Sequence, residues 1–149
     1  MTDKKKGAMG KAEEAIVAKW LGTRSARDVG FWWHRFPDAR AARGALAAQP
    51  SDFIVVTGAR CVFLEVKATS ISTRLPKDKV GQYGTLMSAW WAGATIYVLV
   101  HRTVEDDWLI LTSAQLFTPG DLIPTSFSFT GLHSFETAEA ALSSIFPKK

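Results

Sequence analysis

The sequence predicts an α/β domain with a central mixed β-sheet flanked by helices, and three observations carry that expectation. Its apolar segments run helix, three strands, helix, strand, strand, helix. A helix between two strands implies a crossover and therefore a parallel pair. A two-residue link, Gly58-Ala59, joins two segments rich in branched and aromatic residues, which implies an antiparallel hairpin in the same sheet. At 149 residues the chain has the length of one domain with a real core.

The first helix is expected from Lys11 to about Leu21, with Gly22 as its stop signal. At ~100° per residue, Ile16, Trp20, Val17 and Leu21 make an apolar stripe. Glu13 falls in the middle of that stripe and Glu14 at its edge. A carboxylate centred on a buried face needs a partner, and a metal site beneath the helix would supply one. Alternatively Glu13 belongs to the first turn, where it complements the helix dipole. Gly30 to Phe36 reads as a strand, with Trp32 and Trp33 on opposite faces and His34 as an ordinary strand residue. Residues 38–49 carry Arg40 and Arg43 among alanines and are expected to form a loop or short helical excursion. Arg35, Arg40 and Arg43 are candidate phosphate contacts.

The hairpin is the most informative segment. Asp52–Thr57 and Arg60–Lys67 both have strand composition. A two-residue loop with Gly first suits a type II′ turn. It pairs Thr57 with Arg60 and, counting back, Asp52 with Glu65. Directly opposed residues share a face, with Cβ atoms roughly 4.5–5.5 Å apart. Lys67 lies two residues beyond Glu65 and projects the same way. Two carboxylates and an amine therefore converge. Adjacent carboxylates repel unless a cation relieves them. A hard divalent ion held by carboxylate oxygens and water does so, and Mg²⁺ is bound in this manner. An exposed salt bridge is the plainer alternative, but the flanking strands are too apolar for a wholly solvated sheet.

Beyond the hairpin, residues 68–79 are rich in Ser, Thr and basic residues, and Arg74, Lys77 and Lys79 suit a phosphate backbone. Pro76 is expected to open a helix whose apolar side is Val80, Tyr83, Met87, Trp90 and Trp91, with Gln82 on its flank. Thr95–Val100 is a buried strand by composition, and Trp108–Leu111 another, after a turn at Glu105–Asp107. Residues 118–131 read as irregular. A last helix covers about Glu136–Phe146, with Ser134 as N-cap.

Composition narrows the function. The net charge of +4 favours an acidic partner, nucleic acid first. The single cysteine, Cys61, excludes an internal disulfide and fits a reducing compartment. No apolar run reaches transmembrane length, and no apolar signal core follows Lys4-Lys5-Lys6. Residues 1–9 are read as a mobile basic arm whose lysines meet DNA, residues 10–149 as the folded domain, and the location as cytoplasmic. Zinc-spaced Cys/His sets, phosphate-binding glycine loops and internal repeats are all missing.

A helix acid, Asp52, a thirteen-residue step to Glu65-Val66-Lys67 and then a helix with Gln82 resemble the PD-(D/E)XK nuclease superfamily. Within it the chain resembles the Holliday junction resolvases of the archaeal and RecU types, over Gly10 to about Phe117. Gly10–Val17, Asp52–Lys67 and Val80-Gly81-Gln82 leading into Gly93–Val98 carry the likeness. The resemblance implies a single restriction-endonuclease-like domain. It implies Asp52, Glu65 and a helix acid as ligands of Mg²⁺, with Mn²⁺ able to substitute. Lys67 would position the attacking water or stabilise the transition state, and Gln82 matches the glutamine of the following helix. Glu13 matches the helix acid by apolar spacing, Glu14 by distance from Gly10. The catalytic set is then Glu13, with Glu14 as its alternate, plus Asp52, Glu65, Lys67 and Gln82. A homodimer that nicks two strands of a four-way DNA junction in recombination and repair is also implied. The usual Pro before the first Asp is Ser51 here, with Pro50 one earlier. Another nuclease of the superfamily and a non-catalytic nucleic-acid-binding module are the other readings. A compact nuclease domain of this kind suits a bacterial cell or a phage.

Overall fold

The computed structural model of the chain describes residues 3–38, 49–117 and 124–148, with side chains from Gly10 onward. Helix α1 (Asp3–Arg27) leads into strands β1 (Phe31–Arg35), β2 (Phe53–Thr57) and β3 (Arg60–Thr69). Strand β4 (Arg74–Pro76), a 3-10 turn at Lys77–Lys79 and helix α2 (Tyr83–Trp91) follow. Strands β5 (Thr95–Arg102) and β6 (Asp107–Thr112), helix α3 (Ser113–Leu116), strand β7 (Ser126–Ser128) and helix α4 (Ala138–Ile145) complete the described elements.

The main sheet has the order β1-β2-β3-β5-β6. Strands β3 and β5 are parallel and the other pairs antiparallel, so the sheet is mixed, as the crossover through α2 requires. Two apolar clusters cover its faces. Helices α1 and α4 close one face over Phe53, Val55, Val62, Leu64 and Val66. Helices α2 and α3 and the small β4–β7 sheet close the other, over Ile96, Val98, Val100 and Leu109.

The hairpin has the register that its two-residue loop demands, Thr57 opposite Arg60 and Phe53 opposite Leu64. Gly58 adopts φ 57° while Ala59 stays outside the positive-φ region, as a type II′ turn needs. Gly58→Ala places a Cβ in a left-handed backbone and is expected to cost about 1–2 kcal/mol, read as a lower urea midpoint at unchanged slope.

Several boundaries differ from the sequence expectation. Gly22 does not stop α1, which continues to Arg27. The cost of a helical glycine, about 1 kcal/mol, is offset by the docking of Arg24, which donates to the Phe146 and Pro147 carbonyls and to Asp28. At its other end the helix begins at Asp3, so the backbone of the segment expected as an arm is helical from there. Ile16 is exposed, and the buried stripe is Glu13, Val17 and Leu21. Pro76 does not open a helix. It closes β4, whose partner is β7, inside the stretch read as irregular. Gln82 caps α2 in the left-handed conformation, φ 60°, rather than lying on its flank. The N-cap of α4 is Thr137, whose hydroxyl accepts from the Ala140 N–H, and not Ser134. Of the two early tryptophans, Trp33 packs on Phe53 and Trp32 is 55% exposed.

Candidate active site

Asp52 lies one residue before β2, where the chain enters the hairpin, and its backbone C=O accepts from the Phe36 N–H. Its carboxylate turns across the sheet to β3. Asp52 Oδ2 accepts from the Val66 N–H at 2.7 Å, which ties it beside Glu65 and Lys67. Lys67 Nζ stands 2.6 Å from Glu65 Oε1. The period of two along β3 sends Val62, Leu64 and Val66 into the core beneath α1 and leaves Glu65 and Lys67 on the other side. The three groups that the hairpin count brings together do therefore meet.

They meet in a buried setting. Glu65 is almost fully buried, and Lys67 is a quarter exposed. Burial, and then the neighbouring Asp52 charge, push the Glu65 carboxyl up to about 7 against the opposing pull of Lys67. Burial likewise raises Asp52, while Lys67 and the Val66 N–H work to lower it. For Lys67, burial acts to lower the ammonium, but Glu65 and Asp52 together outweigh it and the net shift is upward. The pair of carboxyls is held at a tension that one lysine does not remove. Shifts of this kind, at a specific charge cluster, make these three residues a candidate functional site.

The two helix acids separate. Glu13 is 6% exposed and its Oε1 lies 2.9 Å from His101 Nδ1 on β5. Glu14 Oε2 pairs with the Arg35 guanidinium at 2.5 Å. The charge of Glu14 acts on Asp52 and on Lys67, raising both. The helical-face argument identified the buried acid correctly but not the neighbour it meets. Burial on α1 leads to β5, and the stripe's edge leads to the hairpin.

The remaining candidates scatter. Gln82 is exposed and makes no hydrogen bond to the carboxylates among the described residues. Arg74 and Lys79 are exposed, on β4 and the turn after it. Lys77 rests over the Tyr83 ring at 4.7 Å. Arg35 is engaged by Glu14 rather than free. The side chains of Lys4, Lys5 and Lys6, and all of Arg40 and Arg43, lie outside the described residues. His101 went unnoticed in the sequence. The only signal was a polar residue ending an otherwise apolar strand.

As a donor set the site offers oxygen alone. Among the described residues no three His, Cys, Asp or Glu side chains close around a metal by themselves. Two converging carboxylates, with the third acid turned to an arginine, fit an ion that keeps several waters, as Mg²⁺ does, and not a structural zinc.

Fold and site together make an α/β protein with a buried acid–acid–lysine group on a hairpin, in agreement with the resemblance its sequence bears to the PD-(D/E)XK nucleases. No protein-family model matches the chain, and no curated protein does. Among solved structures it is similar to Hjc of Archaeoglobus fulgidus, a Holliday junction resolvase from an archaeal hyperthermophile. The identity is 19%, over 76% of this chain and 84% of that one, with a TM-score of 0.47. A likeness of that extent says nothing of what this chain binds or cuts. No helix among the described residues is long and apolar enough to cross a membrane.

Proposed function

We propose that the chain is a divalent-metal-dependent endodeoxyribonuclease acting on branched DNA, a Holliday junction resolvase that works as a homodimer. The observation that carries the chemistry is the convergence of Asp52, Glu65 and Lys67 in a buried setting. Asp52 and Glu65 would hold Mg²⁺ or Mn²⁺, with Glu14, and not Glu13, as the helix acid beside them. The bound ion would polarise the phosphate and lower the pKa of a bound water. Lys67 places a positive charge where negative charge develops on the phosphoryl oxygens. The Val66 N–H fixes one Asp52 oxygen and so orients the other. Arg35 holds Glu14 against the hairpin.

The choice of branched DNA rests on the sequence resemblance and on the net positive charge. Arg74 and Lys79, both exposed, would be among the residues that meet phosphates. Trp91, 71% exposed at the end of α2, is a candidate for the dimer interface. The test is cleavage of matched four-way junction, flap, single-stranded and linear duplex DNA with Mg²⁺. Junctions are expected to be cut in preference, by a species of twice the monomer mass, with affinity that falls steeply as salt rises. A monomer that cuts linear duplex and junction equally would instead make the chain a general nuclease.

A further inference from the structure

We infer that His101 and Glu13 are positioning residues, a buried clamp that sets the rotation of α1 and so aims Glu14 at the hairpin carboxylates. This rests on the metal-dependent reading above. Glu13 Oε1 is 2.9 Å from His101 Nδ1, and His101 Nε2 is 3.1 Å from Asp106 Oδ1. The imidazole stacks on Trp108 with centroids 4.7 Å apart. Both ring nitrogens and one ring face are thus engaged. Asp106, the outer member, is 89% exposed and holds φ 53°, an uncommon conformation for a non-glycine residue.

The placement gives the clamp its consequence. Val17 and Leu21 already seat α1 on the sheet, and apolar contacts alone permit small rotations. A carboxylate at the centre of that stripe adds a directional contact, at the cost of burying charge. Its second oxygen, Oε2, is buried with no partner among the described residues, so Glu13 is not there to complete a well-satisfied core network. Consecutive helix residues point about 100° apart. With Glu13 held to β5, Glu14 points a little over a quarter-turn further round the helix, where Arg35 meets it. His101 is also paired with Ala68, the residue directly after Lys67, so the clamp grips the helix and the lysine's strand at one level.

The test is Mn²⁺ binding by calorimetry on the full chain without DNA, beside the melting temperature. His101→Phe keeps the ring stack and removes both nitrogens. It is expected to weaken Mn²⁺ roughly ten- to a hundred-fold, the usual effect of losing a group that orients a ligand. Glu14→Gln is expected to weaken Mn²⁺ in the wild-type background and to add little in His101→Phe, because the two act through one group. His101→Gln, which keeps a donor for Glu13, should recover most of the affinity, and Glu13→Leu, which removes the same contact from the helix side, should weaken Mn²⁺ as His101→Phe does and provides that reading if His101→Phe does not fold. A lowered melting temperature with unchanged Mn²⁺ affinity in His101→Phe or Glu13→Leu would overturn the clamp and leave it a structural contact. Wild-type protein that binds no Mn²⁺, or binds it equally as Asp52→Asn, would overturn the metal reading itself and the clamp with it.

Discussion

Asp52→Asn is expected to abolish metal-dependent cleavage, by about a thousand-fold or more, while DNA binding survives. The substitution keeps the size of the side chain and leaves an oxygen to accept from the Val66 N–H, so the hairpin should fold as before. What disappears is one of the two negative charges that would hold the ion, and a metal acting as Lewis acid supplies several kcal/mol of transition-state stabilisation. Binding to DNA depends on phosphate contacts made elsewhere, and removing an anion from the site should not weaken it. Lys67→Ala is expected to show the same phenotype by losing the charge that faces the phosphate. Glu14→Gln should impair cleavage more directly than Glu13→Gln, whose effect runs through His101. Single-turnover rates at saturating enzyme, with a filter-binding control, decide the point. Near wild-type turnover by Asp52→Asn would remove the assignment altogether.

The metal-free protein is expected to gain stability as the pH is lowered from about 8 towards 4.5, and Glu65→Gln should erase most of that gain. In the folded protein Glu65 titrates at about 7, raised by burial and by Asp52 from an ordinary 4.5. A carboxyl with a raised folded value binds its proton more tightly when folded. Its contribution is therefore fully present below the unfolded value and is lost as pH rises through the folded one. The window runs from 4.5 to about 7, and the size is on the order of 3 kcal/mol. Asp52, also raised, acts with the same sign. Asp107, lowered by Arg102, has the opposite sign, but its loss falls below the ordinary carboxylate value of 3.8 and outside this window. Mg²⁺ held as proposed would select the ionised pair and so is expected to restore stability on the alkaline side by mass action. Chemical denaturation at a series of pH values, with and without Mg²⁺, reads both effects. A flat wild-type curve between pH 5 and 8 would show that the carboxyls are not under the stated tension.

How far the sequence could be read depended on the range of the forces involved. Gly58-Ala59 determines a register because a two-residue turn leaves one way to pair the strands, and the period of two then carries Asp52 to Glu65 and Lys67. The α/β class and the parallel β3–β5 pair follow from element order alone. Pro76 misled because proline opens helices and ends strands equally well. Only its partner β7, some fifty residues away in sequence, made it the end of a strand. Gly22 misled because its local cost was outweighed by Arg24 reaching the carbonyls of Phe146 and Pro147.

The helix acids mark the boundary most clearly. Periodicity alone put Glu13 in the middle of the apolar stripe and Glu14 at its edge, because a face is a local property of a helix. It did not establish what lies across from each face. His101, eighty-eight positions away, took the buried acid, and Arg35 held the rim acid beside Asp52 and Lys67. Composition and spacing by themselves determined the fold class, the hairpin and its three converging groups, since these rest on contacts between near neighbours in the chain. Tertiary structure alone decided that Glu13 meets His101 and Glu14 meets Arg35, because a side chain's electrostatic partner is chosen by packing between segments that share no local signal.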